Sequence, residues 1–332
     1  MPEPLVTVVI PTLAAGEALA ECLRSLEGQT FRDFEVIVVD NSGEGLARGS
    51  PARVIENPRN LGFGAAVNQG MRASRAPYLA TLNDDAAARP GWLEALVHAI
   101  QPRPDAGMCA SKVLLAELGV LDSAGMLMCA DGSSRQRGHG RPPSEFSTPE
   151  EVLFPSGSAA LYRRAMLEEI GGFDEDFFLY SEDTDLGLRA RWAGWRCLYA
   201  PDAIVDHRYS HSAGRASPLK AYYVERNRLF LVVKNFPAPD LLEAPWFTLA
   251  RYWWHLISMR AGYGTAGEFR AGGGSAWKLV CIVVRAHLAL AAALGSLWRK
   301  RLLIRRAAKV DAASFRRLLK QHSLSPREVA AL

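Results

Sequence analysis

The sequence predicts an α/β protein with a mostly parallel sheet flanked by helices, followed by a helical C-terminal region. Two apolar runs, residues 6–10 and 35–40, are typical of strands that are buried on both faces. Segments with apolar residues at helical spacing separate such runs, and from Ser217 onward the pattern stays helical. Because strands alternate with helices, we expect right-handed crossovers and therefore parallel strands.

The elements of the first third follow directly from these patterns. The first strand ends at Thr12, and apolar residues at helical spacing predict a helix over residues 16–26. Later strands are predicted at residues 35–40, 53–56, 78–82 and 106–112. One helix is predicted to follow residues 60–64 and run through Arg72, and another to span residues 92–100.

The middle of the chain is less regular. Residues 117–150 are rich in Gly, Ser and Pro and carry Arg135, Arg137, His139 and Arg141. We predict a mobile basic loop there, whose cations would help to hold a phosphate or an acceptor. Beyond this loop we predict a strand and turn over 152–159, helices over 163–170 and 181–192, and strands over 195–199 and 203–206. Two domains are expected, residues 1–215 and 216–332.

Composition excludes several classes of protein. The net charge of the 332 residues is only +4, which does not indicate a general nucleic-acid binder, although the C-terminal third is basic. The five cysteines form no CxxC pair, so we expect free thiols in a reducing compartment. Glu3 and Pro4 precede a strand directly, so we expect no signal peptide and a cytoplasmic protein.

Residues 277–298 raise the question of a membrane span. Arg285 lies inside this apolar stretch, and a central Arg costs ~2.5–3.5 kcal/mol on insertion scales. At ~100° per residue, Lys278, Arg285, Ser296 and Arg299 fall on one helical stripe, and residues 298–306 are strongly basic. The pattern indicates either a helix at an anionic membrane surface or a core or oligomer-interface helix with a basic face.

Polar groups follow the predicted strands at one edge of the sheet. Thr12, Asp40 and Asp85 lie at or just past strand ends, where α/β sheets bind ligands. The run Asn83-Asp84-Asp85 has the oxygen ligands that a diphosphate-bound Mn²⁺ or Mg²⁺ requires from a protein. The alternative is an ordinary strand-end turn, because Asn and Asp favour turns.

A second acidic cluster opens the helix predicted at residue 181. Glu182, Asp183 and Asp185 are suited to the positive end of the helix dipole, which is a purely structural explanation. The functional interpretation is that one carboxylate removes a proton from an acceptor hydroxyl. Phe177, Phe178 and Tyr180 would provide an apolar wall that keeps this carboxylate basic.

Two histidines are candidates for a metal site. His207 follows the strand that ends at Asp206, and neutral imidazole is a common ligand of Mn²⁺-type ions, although a lone His is usually structural. His211 is a weaker candidate. The glycines at 43–49 and 62–64 do not have GxGxxG spacing, which argues against a dinucleotide-binding dehydrogenase. We find no P-loop, GxSxG elbow or paired zinc motif.

Several short segments, in their order and spacing, are similar to one known family. They are residues 8–12, 38–42, 57–64, 82–85, 157–159, 171–175, 178–180, 182–186 and 203–207. Together they resemble a family-2 glycosyltransferase with the GT-A fold. Tyr222, Tyr223 and residues 226–228 fit its bacterial rhamnosyltransferase-like branch. The resemblance covers residues 5–236 and implies a GT-A-type nucleotide-binding sheet.

The resemblance implies roles for nucleotide-binding residues. Thr12 and Asp40 would contact the base, with Asp40 accepting from a uracil or thymine N–H. Asn60 and Gly62 would line the nucleotide pocket, and Asn83 would lie near ribose and phosphate.

The same resemblance implies a metal site and a base. Asp85 would bind Mn²⁺ or Mg²⁺ and His207 would complete its shell, whereas Asp84 would border the nucleotide-sugar. The motif reads Asn-Asp-Asp where the family has Asp-x-Asp, which makes Asp85 the safer metal ligand. Asp183 would be the catalytic base, and Glu182 would position the acceptor.

The expected activity is inverting transfer of a hexose in cell-surface polysaccharide synthesis. The donor would be a dTDP- or UDP-sugar, with rhamnose the leading sugar, and the acceptor a hydroxyl of a glycan or lipid-linked molecule. Expected partners also include an anionic membrane, contacted peripherally at its inner face, and a second copy of the chain. One alternative is a sugar nucleotidyltransferase, but residues 13–16 lack the Gly-rich, Arg-containing loop it would carry. The other is a non-catalytic nucleotide-sugar-binding module, which would be expected to have lost the acids at 182–185.

Overall fold

The computed structural model describes residues 3–208, 217–262 and 275–331. The chain divides into two compact units, one of residues Met1–Met126 and Gln136–Ser212, the other of Leu127–Arg135 and Ala213–Leu332. The predicted boundary between residues 215 and 216 lies outside the described residues. The sequence did not indicate that residues 127–135 join the second unit.

The first unit holds the large sheet and the helices around it. Its strands are β1 (Val6–Thr12), β2 (Phe34–Asp40), β3 (Arg53–Glu56), β4 (Tyr78–Leu82), β5 (Ala86–Ala88), β6 (Ala106–Leu115), β7 (Leu121–Ser123), β10 (Glu150–Glu151), β11 (Ala159–Arg163) and β12 (Arg196–His207). Its α-helices are α1 (Glu17–Glu27), α2 (Phe63–Ala73), α3 (Trp92–Ile100), α4 (Arg164–Ile170) and α5 (Glu182–Trp192).

The sheet of the first unit is mixed and mostly parallel, which confirms the predicted fold class. Its main strand order among the described residues is β10-β12-β6-β11-β4-β1-β2-β3. Strands β4, β1, β2 and β3 run parallel, and so do β6 and β12. Strand β11 lies antiparallel between β4 and β6. The prediction missed this reversal because the period of side-chain burial does not depend on strand direction.

Burial explains why the first elements form where the sequence predicts them. Every residue of β4, and all of β1 except Pro11, is buried between helices on both faces. Helix α1 buries one apolar stripe, consisting of Leu19, Cys22, Leu23 and Leu26. This stripe packs in the same core as β1, so the periodicity and the packing agree.

The prediction of a mobile basic loop over residues 117–150 is wrong. This segment folds as β7, β8 (Met126–Cys129), β9 (Ser134–Gln136), a 3₁₀ turn and β10. Its cations are paired: Arg137 donates to Glu150 at 2.6 Å and its guanidinium lies 4.9 Å from the centre of the Phe146 ring. Such two- to four-residue strands are too short to produce a recognisable periodicity, so the segment reads as a loop.

The two strands predicted at 195–199 and 203–206 form one strand. Strand β12 pairs with β6 along its length, with a register shift between Ala200 and Ile204. Pro201 and Asp202 interrupt the apolar pattern at this shift, which explains why the sequence suggested two strands.

The second unit is mainly helical. It contains α6 (Pro218–Asn235), α7 (Ala238–Ala261), α8 (Ala276–Ala307), α9 (Ala312–Gln321) and α10 (Pro326–Ala331), and β13 (Ser323–Leu324) pairs with β8. Helix α6 packs along α8, and α10 packs on α7. The five cysteines are free thiols, as predicted.

A buried charge cluster connects residues 127–135 to the helices of this unit. The Arg251 guanidinium donates to Asp131 at 2.5 Å and to Glu225 at 2.7 Å. Arg228 donates to Glu225 and to the Asp131 carbonyl. Burial opposes ionisation of Glu225, but the two arginines outweigh this effect and lower its pKa well below the ordinary range. The cluster is therefore charged, and removal of one member would leave buried charges uncompensated.

Candidate active site

Thr12 and Asp40 are neighbours at the ends of β1 and β2. The parallel register pairs them directly. The Thr12 hydroxyl donates to Asp84 Oδ2 at 2.6 Å and accepts from the Ala15 amide at 3.1 Å. Burial and the adjacent Asp85 carboxylate raise the pKa of Asp84, although the bond from Thr12 opposes them. Thr12 therefore connects the end of β1 to the first acidic cluster.

Asp40 closes the turn after β2. Only 1% of its surface is exposed, and its two carboxylate oxygens accept from the amides of Ser42 at 2.8 Å and Ala47 at 2.7 Å. Burial would raise the pKa of Asp40, but these amides and the Ser42 hydroxyl outweigh burial and lower it. Asp40 is thus an ionised turn residue.

The loop at Asn60 and Gly62 is held by buried amides. Asn60 Oδ1 accepts from the Gly62 amide at 2.8 Å, and the Asn41 side chain donates to the Gly62 carbonyl at 3.1 Å. Asn57 donates to Asn41 at 2.7 Å and exchanges two hydrogen bonds with Gln69. This network fixes the end of β2, the end of β3 and the start of α2 relative to one another.

Gly62 also touches the turn that precedes the second acidic cluster. Its φ of +92° favours glycine, and a Cβ there would lie 2.3 Å from the Phe178 carbonyl oxygen. That oxygen accepts from the Phe63 amide at 3.0 Å. In the turn itself Phe178, Tyr180 and Ser181 all have positive φ, an uncommon backbone for these residues. The loop at residues 60–62 and the turn at residues 178–181 therefore fit together through backbone contact.

Asp85 and His207 meet through strand pairing. Strand β5 pairs antiparallel with the end of β12, with Ala86 opposite His207. Asp85 directly precedes β5, and its Oδ1 lies 3.2 Å from His207 Nε2. The Asn83 side-chain amide lies 3.4 Å from the same nitrogen. The structure thus joins two of the predicted site residues that are 122 positions apart in sequence.

Asp122, in β7, is a site residue that sequence reasoning missed. Its Oδ2 lies 3.0 Å from His207 Nδ1 and its Oδ1 lies 3.1 Å from His139 Nδ1, with 3% of the side chain exposed. Burial opposes its charge, but both histidines lower the pKa of Asp122. Burial also lowers the pKa of His207, yet its hydrogen bonds to Asp122 and Asp85 outweigh this and raise it to about 9.

Asp85 Oδ1 and His207 Nε2 are suitable ligands for a divalent cation that a diphosphate would also bind. A carboxylate and an imidazole nitrogen 3.2 Å apart can occupy adjacent positions on one ion. Asp122 on the other ring nitrogen forms the carboxylate–histidine pair that commonly supports a metal ligand. Among the described residues no group of three or more His, Cys, Asp or Glu could hold an ion by itself. The remaining ligands would therefore come from substrate and water.

The second acidic cluster lies at the start of α5. The Asp183 carboxylate accepts from the Gly157 amide at 2.9 Å and from the Thr184 amide at 2.6 Å. Burial raises the pKa of Asp183 despite these bonds. Burial and the neighbouring Asp183 raise the pKa of Glu182 to about 8, and no described group bonds its Oε2, although this atom is buried. Glu182 is therefore largely protonated at neutral pH.

One short loop brings the two clusters together. The Ser158 carbonyl accepts from the Asn83 amide at 2.9 Å, and the Gly157 amide donates to Asp183. A Cβ on Gly157 would lie 3.3 Å from the Asp183 side chain. Residues 157–158 thus link the first acidic cluster, residues 83–85, to the helix that carries Asp183, which the sequence could not show.

Comparisons with known sequences agree with the family resemblance found in the sequence. Residues 7–171 match the family model described as glycosyl transferase family 2. The chain is 33% identical over 250 residues to N-acetylglucosaminyl-diphospho-decaprenol L-rhamnosyltransferase of Mycobacterium tuberculosis, covering 65% of this chain and 80% of that protein.

Two solved structures are similar in fold at low sequence identity. The mannosyltransferase PcManGT from Pyrobaculum calidifontis, in complex with GDP-Man and Mn²⁺, has a TM-score of 0.51 at 20% identity, covering 92% of this chain and 86% of that one. GalNAc-T7 with UDP, GalNAc and Mn²⁺ has a TM-score of 0.53 at 14% identity, covering 73% and 54%. These likenesses establish the GT-A fold. Of the predicted site residues, only His211 lies outside the described part of the chain.

Proposed function

The chain belongs to glycosyl transferase family 2, and we propose that it moves a sugar, with inversion, from a nucleotide-diphosphate donor to an acceptor hydroxyl. The observation that carries the proposal is the loop at residues 157–158, which holds Asn83 on one side and Asp183 on the other. The start of the acidic run that includes the proposed metal ligand Asp85 and a carboxylate that can accept a proton are thus held by one loop.

We assign the base role to Asp183. Its pKa is raised by burial, so it is a better proton acceptor than a surface aspartate. The Gly157 and Thr184 amides orient its carboxylate. The Thr184 hydroxyl also donates to Oδ1, so Oδ2 is the oxygen that keeps a lone pair for an acceptor hydroxyl. Glu182, whose pKa of about 8 keeps it mainly protonated at neutral pH, would donate a hydrogen bond to the acceptor from its unbonded Oε2.

We assign Mn²⁺ or Mg²⁺ binding to Asp85 and His207. When bound, the ion would neutralise charge on the leaving nucleoside diphosphate. Asp122 holds the His207 ring so that Nε2 faces Asp85, and a cation would take the place of the proton that these two groups share. The Mn²⁺ in the two structural relatives supports this assignment.

The donor nucleotide would lie along the ends of β1, β2 and β4. Thr12 and Asp40 would border the base, and Asn60 and Gly62 would line its pocket. Both oxygens of Asp40 already accept backbone amides, so a base N–H would have to use their remaining lone pairs. Asn83 and Asp84 would border the ribose and phosphates.

The rhamnosyltransferase relative guides the choice of substrates. It supports rhamnose as the donor sugar and a lipid-linked diphosphate glycan as the acceptor, in synthesis of a cell-surface polysaccharide. A lipid-linked acceptor would require the enzyme to work at the inner face of the cell membrane. dTDP- and UDP-sugars both remain donors to test, because uracil and thymine present the same N–H to Asp40.

The test is a thermal-shift panel of dTDP- and UDP-sugars with and without Mn²⁺, followed by a transfer assay with the donor that binds. We expect one donor to stabilise the protein only when metal is present, because a ligand of the folded state raises apparent stability. Asp105→Asn is a suitable control, because Asp105 pairs with Arg103 and Arg196 at the surface, away from the site. Nucleotide binding without turnover under every condition would refute the enzymatic proposal in favour of a binding module.

A further inference from the structure

We propose that exposed apolar stripes on α7 and α8 dock the second unit onto an anionic lipid bilayer without crossing it. The proposal rests on the proposed function only in that a lipid-linked acceptor gives the docking a purpose. It concerns surfaces that the donor-binding residues do not use.

Helix α8 has three different faces. One face is buried and packs along α6 through residues such as Ile282, Ala286 and Leu297. The opposite face is exposed and mainly apolar, with the exposed His287 among its members. Its apolar side chains are Trp277, Val280, Val284, Leu288, Leu294, Trp298 and Leu302. At ~100° per residue, Lys278, Arg285 and Arg299 fall between these two faces. An apolar face with a basic flank is typical of helices that lie in the plane of a membrane surface.

Helix α7 repeats the pattern. Its exposed apolar side chains follow a spacing of four and three residues: Leu242, Trp246, Leu249, Trp253 and Leu256. They form one stripe opposite the buried Ala244, Arg251 and Ser258. Four of the eight tryptophans of the protein are on the stripes of α7 and α8, each 46–72% exposed. Tryptophan is enriched where a protein meets the membrane interface, which favours lipid as the occupant.

Charge argues against a second copy of the chain as the occupant. Residues 276–307 contain seven Lys and Arg side chains and no Asp or Glu. Two such helices placed face to face would repel each other, whereas an anionic leaflet attracts them by about 1 kcal/mol for each cation near the surface. The complementary partner is therefore a surface rich in acidic phospholipid.

Packing argues against a span. By length and composition alone, Trp277–Ala307 passes as a membrane-crossing helix, the only one in the described part of the chain. However, Arg301 donates to the Val233 carbonyl and Arg305 to that of Asn235, so α8 is fixed along α6. Helix α6 carries Lys220, Glu225 and further charges, which would have to enter the hydrocarbon with α8. A surface position leaves helix α6 and its charges outside the hydrocarbon.

The test compares binding of the full chain to vesicles of phosphatidylcholine with phosphatidylglycerol and to vesicles of phosphatidylcholine alone. The stripe variant is Trp253→Glu with Leu288→Glu, two positions that are 62% and 66% exposed. Leu118→Glu is the matched control, because Leu118 is 65% exposed in the first unit. Light scattering after gel filtration gives the oligomeric state, and nucleotide thermal shifts check the donor site of each variant.

We expect wild type and Leu118→Glu to bind the anionic vesicles, and the stripe variant to bind at least about tenfold more weakly. We also expect binding to weaken without phosphatidylglycerol and in high salt. Equal binding of the stripe variant would overturn the proposal. So would a dimer of wild type that binds no vesicles and that the stripe substitutions dissociate. If the protein binds nucleotides but not vesicles, the docking proposal fails and the proposed function stands. If it binds vesicles but no nucleotide, the proposed function fails and the docking proposal stands.

Discussion

Replacing Asp122 by Asn tests whether this buried carboxylate supports the metal site. The substitution preserves size but removes the negative charge that lies 3.0 Å from His207 Nδ1. A hydrogen bond to a charged group contributes about 1.5–3 kcal/mol. Loss of the partner of a metal-bound histidine typically lowers metal affinity about 10–100-fold. Because a factor of ten in affinity corresponds to about 1.4 kcal/mol, this loss equals about 1.4–2.8 kcal/mol, which agrees with the energy of the hydrogen bond.

The assay is a titration with Mn²⁺ in the presence of saturating UDP or dTDP, with free Mn²⁺ measured by electron paramagnetic resonance. Asp206→Asn is the control: Asp206 adjoins His207 in sequence but pairs with Arg89 at the surface. An exposed ion pair contributes at most about 1 kcal/mol, so we expect less than about a fivefold change in the control. If Asp122→Asn and wild type bound Mn²⁺ with equal affinity, the supporting role of Asp122 would be refuted.

Four further changes have definite expected outcomes. Asp183→Asn should lower the transfer rate about 10²–10⁴-fold with nucleotide affinity unchanged by calorimetry; retained activity would exclude it as the base. Glu182 has a raised pKa, so the folded state holds its proton between about pH 4.5 and 8, and stability falls as pH rises through that window. The free energy of unfolding of Glu182→Gln, measured in urea, should lack this dependence on pH. If wild type and Glu182→Gln lost stability equally steeply between pH 4.5 and 8, the raised pKa of Glu182 would be contradicted. Gly62→Ala should destabilise by at least about 1–2 kcal/mol, because of its positive φ and the Phe178 carbonyl, and slow transfer; unchanged unfolding would argue against the contact. Asp131→Asn should lower the free energy of unfolding in urea by about 3–5 kcal/mol, because the buried arginines Arg228 and Arg251 would then share only the charge of Glu225, and a loss below about 1 kcal/mol would contradict a charged cluster.

Sequence reasoning worked best where the information is local. The burial of β1, β2 and β4 follows from continuous apolar runs, and α1 from its helical spacing. The acidic clusters at 83–85 and 182–185 were found because carboxylates beside apolar runs are conspicuous in any window. By contrast, the short strands within residues 117–150 have no period long enough to read, so the segment was predicted as a loop.

Two structural roles were missed for the same reason. Asp122 is an unremarkable residue in the sequence, and its signal would have been only that it is an acid in an apolar neighbourhood. Residues 127–135 join the helical unit through Asp131, which no local pattern predicts.

Local sequence patterns were enough to place the first strands along the chain, to locate both acidic clusters and to identify the C-terminal region as helical. Periodicity and turn chemistry are properties of consecutive residues, so they can be read without a fold. The contacts of His207 with Asp85 and Asp122, and the link from Asn83 to Asp183 through residues 157–158, could be seen only in the folded chain. Those contacts depend on the register of strands such as β5 on β12, where a shift of one residue would turn each side chain to the other face of the sheet.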